Sequence, residues 1–521
     1  MRTRRFLLPA AASTFLLGAV VLTGCTVAET TASADVAAEE SESEQVLTAA
    51  LAAADEILAA NENSTTVNPD EWDPEPGTTI TLAGTTATVD GSGASVSGDT
   101  VTITAAGTYL VTGALDGQLV VDAPEDAVVA LILDDATISS ASSAAVSVVS
   151  ADDVVISLEG DSFLSDTASY AEDADVNATL FSEADLTITG EGSLTVVGNG
   201  NDGITSEDDL VILSGTLTVD AVDDGITSED DLVILSGTLT VDAVDDGVRG
   251  KDSLTIEGGA LDVTAGGDAL KSDNEDEETR GYIHLAGGTL ELVADDDGVD
   301  ATTDIVVTGG ETTVDAEGDG LNAETVLFVA EGVIDVVDSY EGLESAALTI
   351  AGGTVDVVSS DDGLNGSSSA ATGGQGGGSD GSTIVISGGT VTVFAGGDGI
   401  DSNGDAEVTG GTVISTSPYT GPEAAVDTSG DFSGSSFVWT NVDAAIGDAV
   451  QVVAEDGTVV AEYTTVQETA SIFVASAQIE AGASYTITVA GSEAVSVTGD
   501  EVLEFDDSRG PGGPGGGGQR P

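Results

Sequence analysis

GITSEDDLVILSGTLTVDAVDD occurs twice in succession and without a difference, at residues 203–224 and again at residues 225–246. Degraded copies of this 22-residue unit continue on both sides. Each copy is identified by an acidic residue, then Gly (Ala269 in one copy), then an aliphatic residue, a triplet that we call the mark. The mark acids are Asp202, Asp224, Asp246, Asp268, Asp297, Asp319, Glu341, Asp362 and Asp398. A period in the twenties predicts a solenoid, in which each unit buries its apolar face against its neighbours.

Apolar and polar residues alternate along one segment of each unit, as in Leu217-Thr218-Val219 and Leu239-Thr240-Val241. A period of two indicates strands with one buried face. A second apolar segment, residues 232–235 in one unit, gives two recognisable strands per unit. Glycine pairs such as Gly258-Gly259 predict the turn between them. A leucine-rich repeat would need a helical segment and an Asn or Cys column, which the units lack. The pattern therefore predicts an all-β chain built as a parallel β-helix, with 22 residues in a regular coil.

Segments of different composition surround this array. Residues 1–24 combine a basic start with an apolar stretch, and Leu22-Thr23-Gly24-Cys25 resembles the bacterial lipobox. We therefore expect a lipoprotein signal peptide, lipidation of Cys25 and a membrane-anchored location outside the cell, on the bacterial envelope. The composition of residues 25–77 predicts a disordered acidic tether with a short helix near residues 46–60. The remaining predicted segments are an N-terminal β cap with the first coils (78–184), the regular repeats (185–430), a C-terminal β cap (431–508) and a disordered Gly/Pro-rich tail (509–521).

The chain is strongly acidic, with a net charge of −85 and only nine lysines and arginines among 521 residues. This charge excludes nucleic acid and anionic lipid surfaces as partners, so a membrane would be reached only through the lipid on Cys25. Cations, and ligands that a metal ion bridges, remain as partners. The alternative interpretation is that the charge serves solubility alone.

Stacked coils would place successive mark acids about 4.8 Å apart, where two carboxylates repel each other. Several marks carry a doubled acid, and carboxylates with turn carbonyls are ligands that Ca²⁺ prefers. One histidine and one cysteine in the whole chain argue against Zn²⁺ or copper. The alternative is that each Asp caps its turn by accepting backbone N–H groups. The predicted calcium ligands are Asp223, Asp224, Asp245, Asp246, Asp268, Asp296, Asp297, Asp319, Asp361, Asp362 and Asp398.

Few basic residues lie in the coils. Arg249 and Lys271 are one period apart, so we expect them to stack in neighbouring coils beside mark acids. There they would either neutralise the acids or contact a sugar carboxylate. The predicted ligand-binding residues are Arg249, Lys251, Lys271, Asp273 and Asn274. The sole histidine, His284, aligns with outward strand positions, and no nucleophile motif surrounds it, so we assign no catalytic role to it.

Two insertions interrupt the period, at residues 273–280 and 366–381, and both follow a mark directly. Insertions in one phase of the repeat stack over one edge of a solenoid, which is often the binding edge.

Several segments together resemble a family of secreted bacterial carbohydrate-binding β-helix proteins. They are TVTITAAGTYLVTGALDGQLVVDA near the start, DDGVRGKDSLTIEGG, GGDALKSDN, GGTLELVADDDGVDA, SYEGLESAALTIAGGTVDV, SSDDGLNG, GGDGIDSNG and the Gly/Pro tail. The resemblance covers residues 78–521. It implies a right-handed parallel β-helix similar to that of pectate lyases, bound Ca²⁺, and binding of cellulose and acidic pectic glycans. Ala269 departs from the pattern, as does the higher acidity of this chain.

Three functions follow from these observations. The first is a calcium-dependent polysaccharide-binding lipoprotein of the cell surface. The second is a calcium-dependent polysaccharide lyase on the same fold, with Lys271 or Arg249 as the base. The third is a structural spacer or adhesin. The first needs no catalytic residue, and the sequence singles none out.

Overall fold

The computed structural model describes residues 32–68, 72–171, 174, 176–368 and 379–500. The predicted signal peptide, Cys25 and the Gly/Pro tail lie outside these residues. Within them the protein is all-β, with 46 strands and two helices. No helix in this part of the chain is both long enough and apolar enough to cross a bilayer. The contacts below concern residues from Val46 onward, which form one compact unit.

Three columns of parallel strands form the array, because each repeat contributes three strands and each pairs with its equivalent in the next repeat. The first column follows the marks. Its strands are Ala178–Ser182, Asp202–Ser206, Ile226–Ser228, Val248–Gly250, Leu270–Ser272, Val299–Ala301, the starts of Leu321–Val329 and Leu343–Ile350, Leu364–Gly366, Ile400–Ser402 and Asp427–Thr428.

The second and third columns contain the two strands per unit that the sequence predicts. The second column consists of Asp153–Glu159, Asp185–Gly190, Leu210–Ile212, Asp231–Ile234, Ser253–Ile256, Tyr282–Leu285, Asp304–Val307, the ends of Leu321–Val329 and Leu343–Ile350, Thr383–Ile386, Asp405–Val408 and Phe432–Gly434. The third column consists of Asp161–Ser165, Ser193–Gly198, Thr216–Ala221, Thr238–Ala243, Ala260–Ala265, Thr289–Ala294, Glu311–Ala316, Val333–Asp338, Thr354–Val358, Thr390–Phe394 and Thr412–Ser417.

Parallel pairing begins before the regular repeats. Strand Gly107–Asp116 pairs in parallel with both Thr78–Gly84 and Val128–Ser139. Two antiparallel hairpins precede or flank it. The remaining strands of this region are Ala87–Asp90, Ala94–Ser97, Thr100–Ile103, Gln118–Asp122 and Val146–Ser150. The segment predicted as an N-terminal cap is thus continuous with the array through its parallel strands.

Antiparallel strands cover the other end of the array. Phe437–Ala444 and Thr469–Ser476 pair with each other, and the second also pairs with Thr412–Ser417. The short helix Pro422–Ala425 precedes them. A separate antiparallel sheet contains Ala449–Ala454, Val459–Thr464, Ser484–Val489 and Ser492–Thr498. The rings of Phe437 and Phe473 lie 5.0 Å apart and close the apolar core at this end.

Glycine is favoured in the mark because a side chain there would clash with neighbouring atoms. A Cβ atom added to Gly225 would lie 2.3 Å from Val241 Cγ1 and 2.5 Å from the Gly247 carbonyl oxygen. The mark therefore passes between a buried valine of the third column and the backbone of the next repeat. In the turn between the second and third columns, Gly237 has φ of +123°, a conformation that favours glycine.

The N-terminal segment differs from the predicted tether. Helix α1 spans Ala32–Leu58, and we call residues 46–68 the strap. Ala50 and Ala54 of the strap pack in one buried cluster with Val306 and Phe328. The outward side chains of the second column are apolar over several repeats, and a covering segment removes them from water. A helix near residues 46–60 was predicted, but composition alone gives no sign of the surface against which it packs.

Polar contacts hold the strap beyond the helix. Asn61 Nδ2 donates to Asp304 Oδ2 at 2.9 Å. Arg280 Nε donates to Glu62 Oε2 at 3.0 Å, and the Glu62 backbone N–H donates to the carbonyl of Thr279. The strap therefore fixes the insertion at residues 273–280 to the outer face of the second column.

Candidate cation-binding column

The mark acids form a ladder along the array. Seven of the mark acids accept, through one side-chain oxygen, the backbone N–H of the mark acid one repeat later. The printed distances run from 2.7 to 3.3 Å for the acceptors Asp202, Asp224, Asp246, Asp268, Asp297, Asp319 and Asp362. These bonds resemble the predicted turn caps, except that each acid caps the following repeat. A hydrogen bond from an N–H to a carboxylate contributes more to stability than one to a neutral acceptor.

A second row of side chains faces the ladder. These residues lie three positions after the mark acid, at an outward position of the first column, and we call them the facing row. They are Thr205, Thr227, Arg249, Lys271, Asp300, Asn322, Glu344, Asn365 and Asp401. The mark acids and the facing row together make a strip of polar groups, which we call the cation-binding column.

One lysine bridges two rungs of the ladder. Lys271 Nζ lies 2.9 Å from Asp246 Oδ2 and 2.8 Å from Asp268 Oδ2. Burial opposes the charge of Lys271, but hydrogen bonds and charges from Asp268 and Asp246 outweigh burial and raise its pKa. Consecutive mark acids can therefore share one cation through the oxygens that the ladder does not use.

Beyond Lys271 the column contains acids and amides only. The sequence has no Lys or Arg between Arg280 and Arg509. Burial, followed by neighbouring carboxylates, raises the pKa of Asp297 to about 7 and that of Asp300 to about 7. Burial and the neighbouring Glu344 carboxyl raise the pKa of Glu341 strongly. These carboxyls resist ionisation because burial and repulsion outweigh the hydrogen bonds that they accept and, at Asp300, the charge of Lys271.

Three acids of this part converge. One oxygen each from Asp319, Glu341 and Glu344 lie within 4.8 Å of one another. Asn365 Nδ2 donates to Glu341 Oε2, whereas Asn365 Oδ1 is buried and has no hydrogen-bond partner among the described residues. Ca²⁺ binds oxygens at 2.3–2.6 Å, so two ligands of one ion lie up to about 5 Å apart. Three carboxylates and an unpaired amide oxygen therefore fit a hard cation, and we call this group the Glu341 site.

A second group lies in the duplicated repeats. Oxygens of Asp223, Asp224 and Asp245 also lie within 4.8 Å of one another. Thr227 Oγ1, in the facing row, is buried without a hydrogen-bond partner in the described part of the chain. Thr205, its equivalent in the identical copy, donates to Asp202 Oδ2 at 2.9 Å. Burial, then the charge of Asp246, raises the pKa of Asp224 to about 6.

The predicted calcium ligands fall into different environments. Asp223, Asp224 and Asp245 come together, whereas Asp246 and Asp268 are bridged by Lys271. Asp297, Asp362 and Asp398 take part in the ladder, and Asp361 accepts a hydrogen bond from Tyr340. Asp296 belongs to none of the groups described above. The sequence predicted Asp319 as a ligand but did not predict that Glu341 and Glu344 would lie beside it. An alignment of the residues three positions after each mark acid would have shown that Glu344 occupies the same position of the repeat as Lys271.

The residues predicted to bind ligand contact acids of the protein itself. Arg249 donates to Asp273 at 3.1 Å and to Glu229 at 2.9 Å, and Lys251 donates to Glu229 at 3.0 Å. The buried Asn274 donates to Asp252. This cluster surrounds the insertion at residues 273–280, where Arg280 also pairs with Asp252.

His284 lies at the outward position of the second column, between Thr255 and Val306 in register. Its Nε2 lies 2.9 Å from Thr308 Oγ1. Burial lowers the pKa of His284, so the ring is neutral at neutral pH.

The fold and this column can now be compared with known proteins. The family described as "Carbohydrate-binding domain-containing protein" matches residues 97–229 and 214–378, which together span more than half of the chain. The chain belongs to this family. One relative, a carbohydrate-binding domain-containing protein of Acetivibrio thermocellus, is 34% identical over 128 residues, which are 23% of this chain and 45% of the relative. The chain thus spans less than half of that relative.

A solved structure is also similar in part. It is described as the polysaccharide lyase-like protein from C. thermocellum, in a gadolinium derivative. The match has 32% sequence identity and a TM-score of 0.42, and it covers 50% of this chain and 100% of the other.

Proposed function

We propose that this protein binds polysaccharide, such as acidic pectic or cellulosic glycan, at the bacterial cell surface through Ca²⁺ held on the cation-binding column. The observation that carries the proposal is the Glu341 site, in which three carboxylates converge beside a buried amide oxygen that has no hydrogen-bond partner among the residues that the structure describes. Membership of a carbohydrate-binding family supports the polysaccharide partner.

The architecture that we infer for the array is a right-handed parallel β-helix. Support comes from the three strand columns, in which every strand pairs with the strand one repeat later. In such a coil the first column would form one continuous face. The mark acids and the facing row would then be presented side by side to an extended glycan chain.

The charge of the protein explains why a metal would be needed. A chain of net charge −85 repels a polyuronate, and the basic residues near Arg249 are already paired with Glu229, Asp273 and Asp252. Ca²⁺ would supply the positive charge that links two sets of carboxylates. Asp319, Glu341 and Glu344 would hold the ion from the protein side, and Asn365 Oδ1 would be a neutral ligand.

The lyase alternative lacks a suitable base. A lysine or arginine side chain must lose its own proton before it can act as the base. The contacts of Lys271 with Asp246 and Asp268 raise its pKa, and those of Arg249 with Asp273 and Glu229 raise its pKa as well. Both side chains therefore stay protonated at neutral pH, which favours binding without cleavage.

Binding to polygalacturonate tests the proposal. The metal-free protein would be applied to immobilised polygalacturonate, and separately to cellulose, with Ca²⁺ or with chelator at equal ionic strength. We expect retention only with Ca²⁺. Changing Glu341→Gln and Glu344→Gln together should abolish retention, whereas Glu331→Gln, at an exposed glutamate, should not. Retention unaffected by chelator would refute the metal bridge, and failure on every glycan would favour a spacer.

Cell-surface location is a separate proposal. It rests on the lipobox-like Leu22-Thr23-Gly24-Cys25. We expect Cys25→Ala to release the protein from the membrane fraction into the medium, because the acyl anchor would be lost. A membrane-bound Cys25→Ala variant would contradict the lipid anchor.

A further inference from the structure

Between the two ends of the chain, the basic residues are concentrated in one place. The sequence contains no Lys or Arg between Arg5 and Arg249, or between Arg280 and Arg509. Arg249, Lys251 and Arg280 bind acids of the neighbouring turns and insertion. Lys271 alone among them has its charged atom bonded to two mark acids.

Lys271 occupies a defined position in the repeat. Asp246 Oδ1 accepts the Asp268 N–H and Asp268 Oδ1 accepts the Asp297 N–H. Each acid turns its second oxygen, Oδ2, to the ammonium group. At the same position in three later repeats, the facing row has residues whose side-chain oxygens can bind a metal ion. These residues are Asn322, Glu344 and Asn365. One position of the repeat thus carries either a cationic side chain, as in Lys271, or a side chain that can bind a metal cation.

Lys271, Asp246 and Asp268 are largely buried, which also indicates that the two carboxylates need a counter-charge. The side chain of Lys271 is 24% exposed, and those of Asp246 and Asp268 are 10% and 7% exposed. Two carboxylates this deeply buried and this close would repel each other without a counter-charge. The ammonium group supplies that charge permanently, without dependence on the medium.

We propose that Lys271 is an internal cation that replaces a metal ion between Asp246 and Asp268, so that this step of the column is independent of Ca²⁺. The proposal rests on the proposed function and deepens it. It divides the column into a step that Lys271 neutralises and a C-terminal part that takes metal. It also makes Lys271 the residue that sets how many ions the chain holds.

A gain of metal tests this proposal directly. Lys271→Asn would give the facing row the residue that it has at Asn322 and Asn365, leaving Asp246 and Asp268 to share an ion. We expect Lys271→Asn to bind one more Tb³⁺ or Ca²⁺ per chain than the parent, measured by Tb³⁺ luminescence titration and by equilibrium dialysis. The matched control is Lys251→Asn, since Lys251 pairs with Glu229 outside the ladder. That control should bind the same number of ions as the parent.

The variant should also become dependent on metal. In chelator we expect Lys271→Asn to melt at a lower temperature than the parent, and added Ca²⁺ should remove most of the difference. Lys271→Gln serves as a second neutral variant if the first does not fold in chelator. An unchanged ion count in both neutral variants would overturn the role of Lys271 while leaving the proposed function intact. A parent that binds no metal, beside a variant that binds one ion, would refute the proposed function and the metal-binding C-terminal part of the column, but would uphold Lys271 as the cation that replaces a metal ion.

Discussion

Asp268 donates its backbone N–H to Asp246 Oδ1 at 2.9 Å, and the two residues are 22 positions apart in the chain. This single contact links one repeat to the next, and equivalents recur from Asp202 to Asp398. One oxygen of these acids is therefore structural, and at Asp246 and Asp268 the other oxygen contacts a cation, the ammonium group of Lys271.

Two substitutions distinguish the hydrogen bond that a mark acid accepts from the charge that it carries. Asp297 Oδ1 accepts the Asp319 N–H at 2.7 Å. Asp297→Ala removes that acceptor and should destabilise the metal-free protein by about 1.5–3 kcal/mol in urea unfolding. Asp297→Asn retains an oxygen and removes a buried charge, so at pH 8 it should be at least as stable as the parent in chelator. Equal losses in both variants would show that the charge, and not the hydrogen bond, supports the ladder.

The strap should be required for stability. Ala54 is fully buried and Ala50 nearly so, against Val306 and Phe328. Ala54→Asp would bury an unpaired carboxylate, and we expect a loss of about 2–4 kcal/mol. Ala52→Asp, at an exposed position of the same helix, is the control and should change stability little. Limited proteolysis should release residues 46–68 faster from Ala54→Asp alone, and equal cleavage of all three proteins would contradict a docked strap.

The identical repeats should tolerate deletion. Residues 225–246 pair with neighbours whose registers match those of the preceding copy. Their removal should leave a folded array that melts within a few degrees of the parent, since each repeat contacts only its neighbours. Deletion of residues 225–235, half a unit, should abolish cooperative unfolding because it shifts the register of every later strand. Calorimetry distinguishes the two, and an insoluble full-unit deletion would count against stacked repeats.

Asp185 should make stability depend on pH. Burial, then the charge of Asp209, raises its pKa from 3.8 to about 7, with smaller effects from Asp153 and Asp208. A raised pKa in the folded state means that the associated stability is complete below pH 3.8 and is lost as pH rises to about 7. In chelator, Asp185→Asn should match the parent near pH 4 and melt higher at pH 7.5. Its Oδ1 can still accept the Asp209 N–H. A lower melting temperature at pH 7.5 would contradict this assignment.

Sequence reasoning recovered the parts of the fold that have strong periodicity. Alternation in residues such as Leu239 and Val241 predicted the third column, and glycine pairs predicted its turns. The first column was missed because its strands, such as Ile226–Ser228, have three residues and bury Ser and Thr as well as Ile. Periodicity is too short to detect there. The strap was missed because Ala-rich composition does not reveal a tertiary partner.

The acidic residues of the candidate site were predictable from the sequence, but their grouping around a cation was not. The mark acids are evident in the sequence, and so is their spacing of one repeat. Which of them share a cation depends on the facing row, where Lys271, Glu344 and Asn365 are aligned only once the first column is known. Burial of Asn365 Oδ1 without a partner is a property of packing, and no pattern in a single sequence encodes it.

We expect Ca²⁺ to stabilise this column by binding to it. The most direct measurement is the melting temperature of the metal-free protein in Ca²⁺ and in chelator, with NaCl added to match ionic strength. Binding to the native state raises stability by about 2.7 kcal/mol per site at 100-fold excess over Kd, whereas screening is unselective. We predict a clear rise with Ca²⁺ that Glu341→Gln with Glu344→Gln reduces and Glu331→Gln does not. Equal melting temperatures in Ca²⁺ and chelator would contradict the claim and leave the mark acids as caps of the repeats.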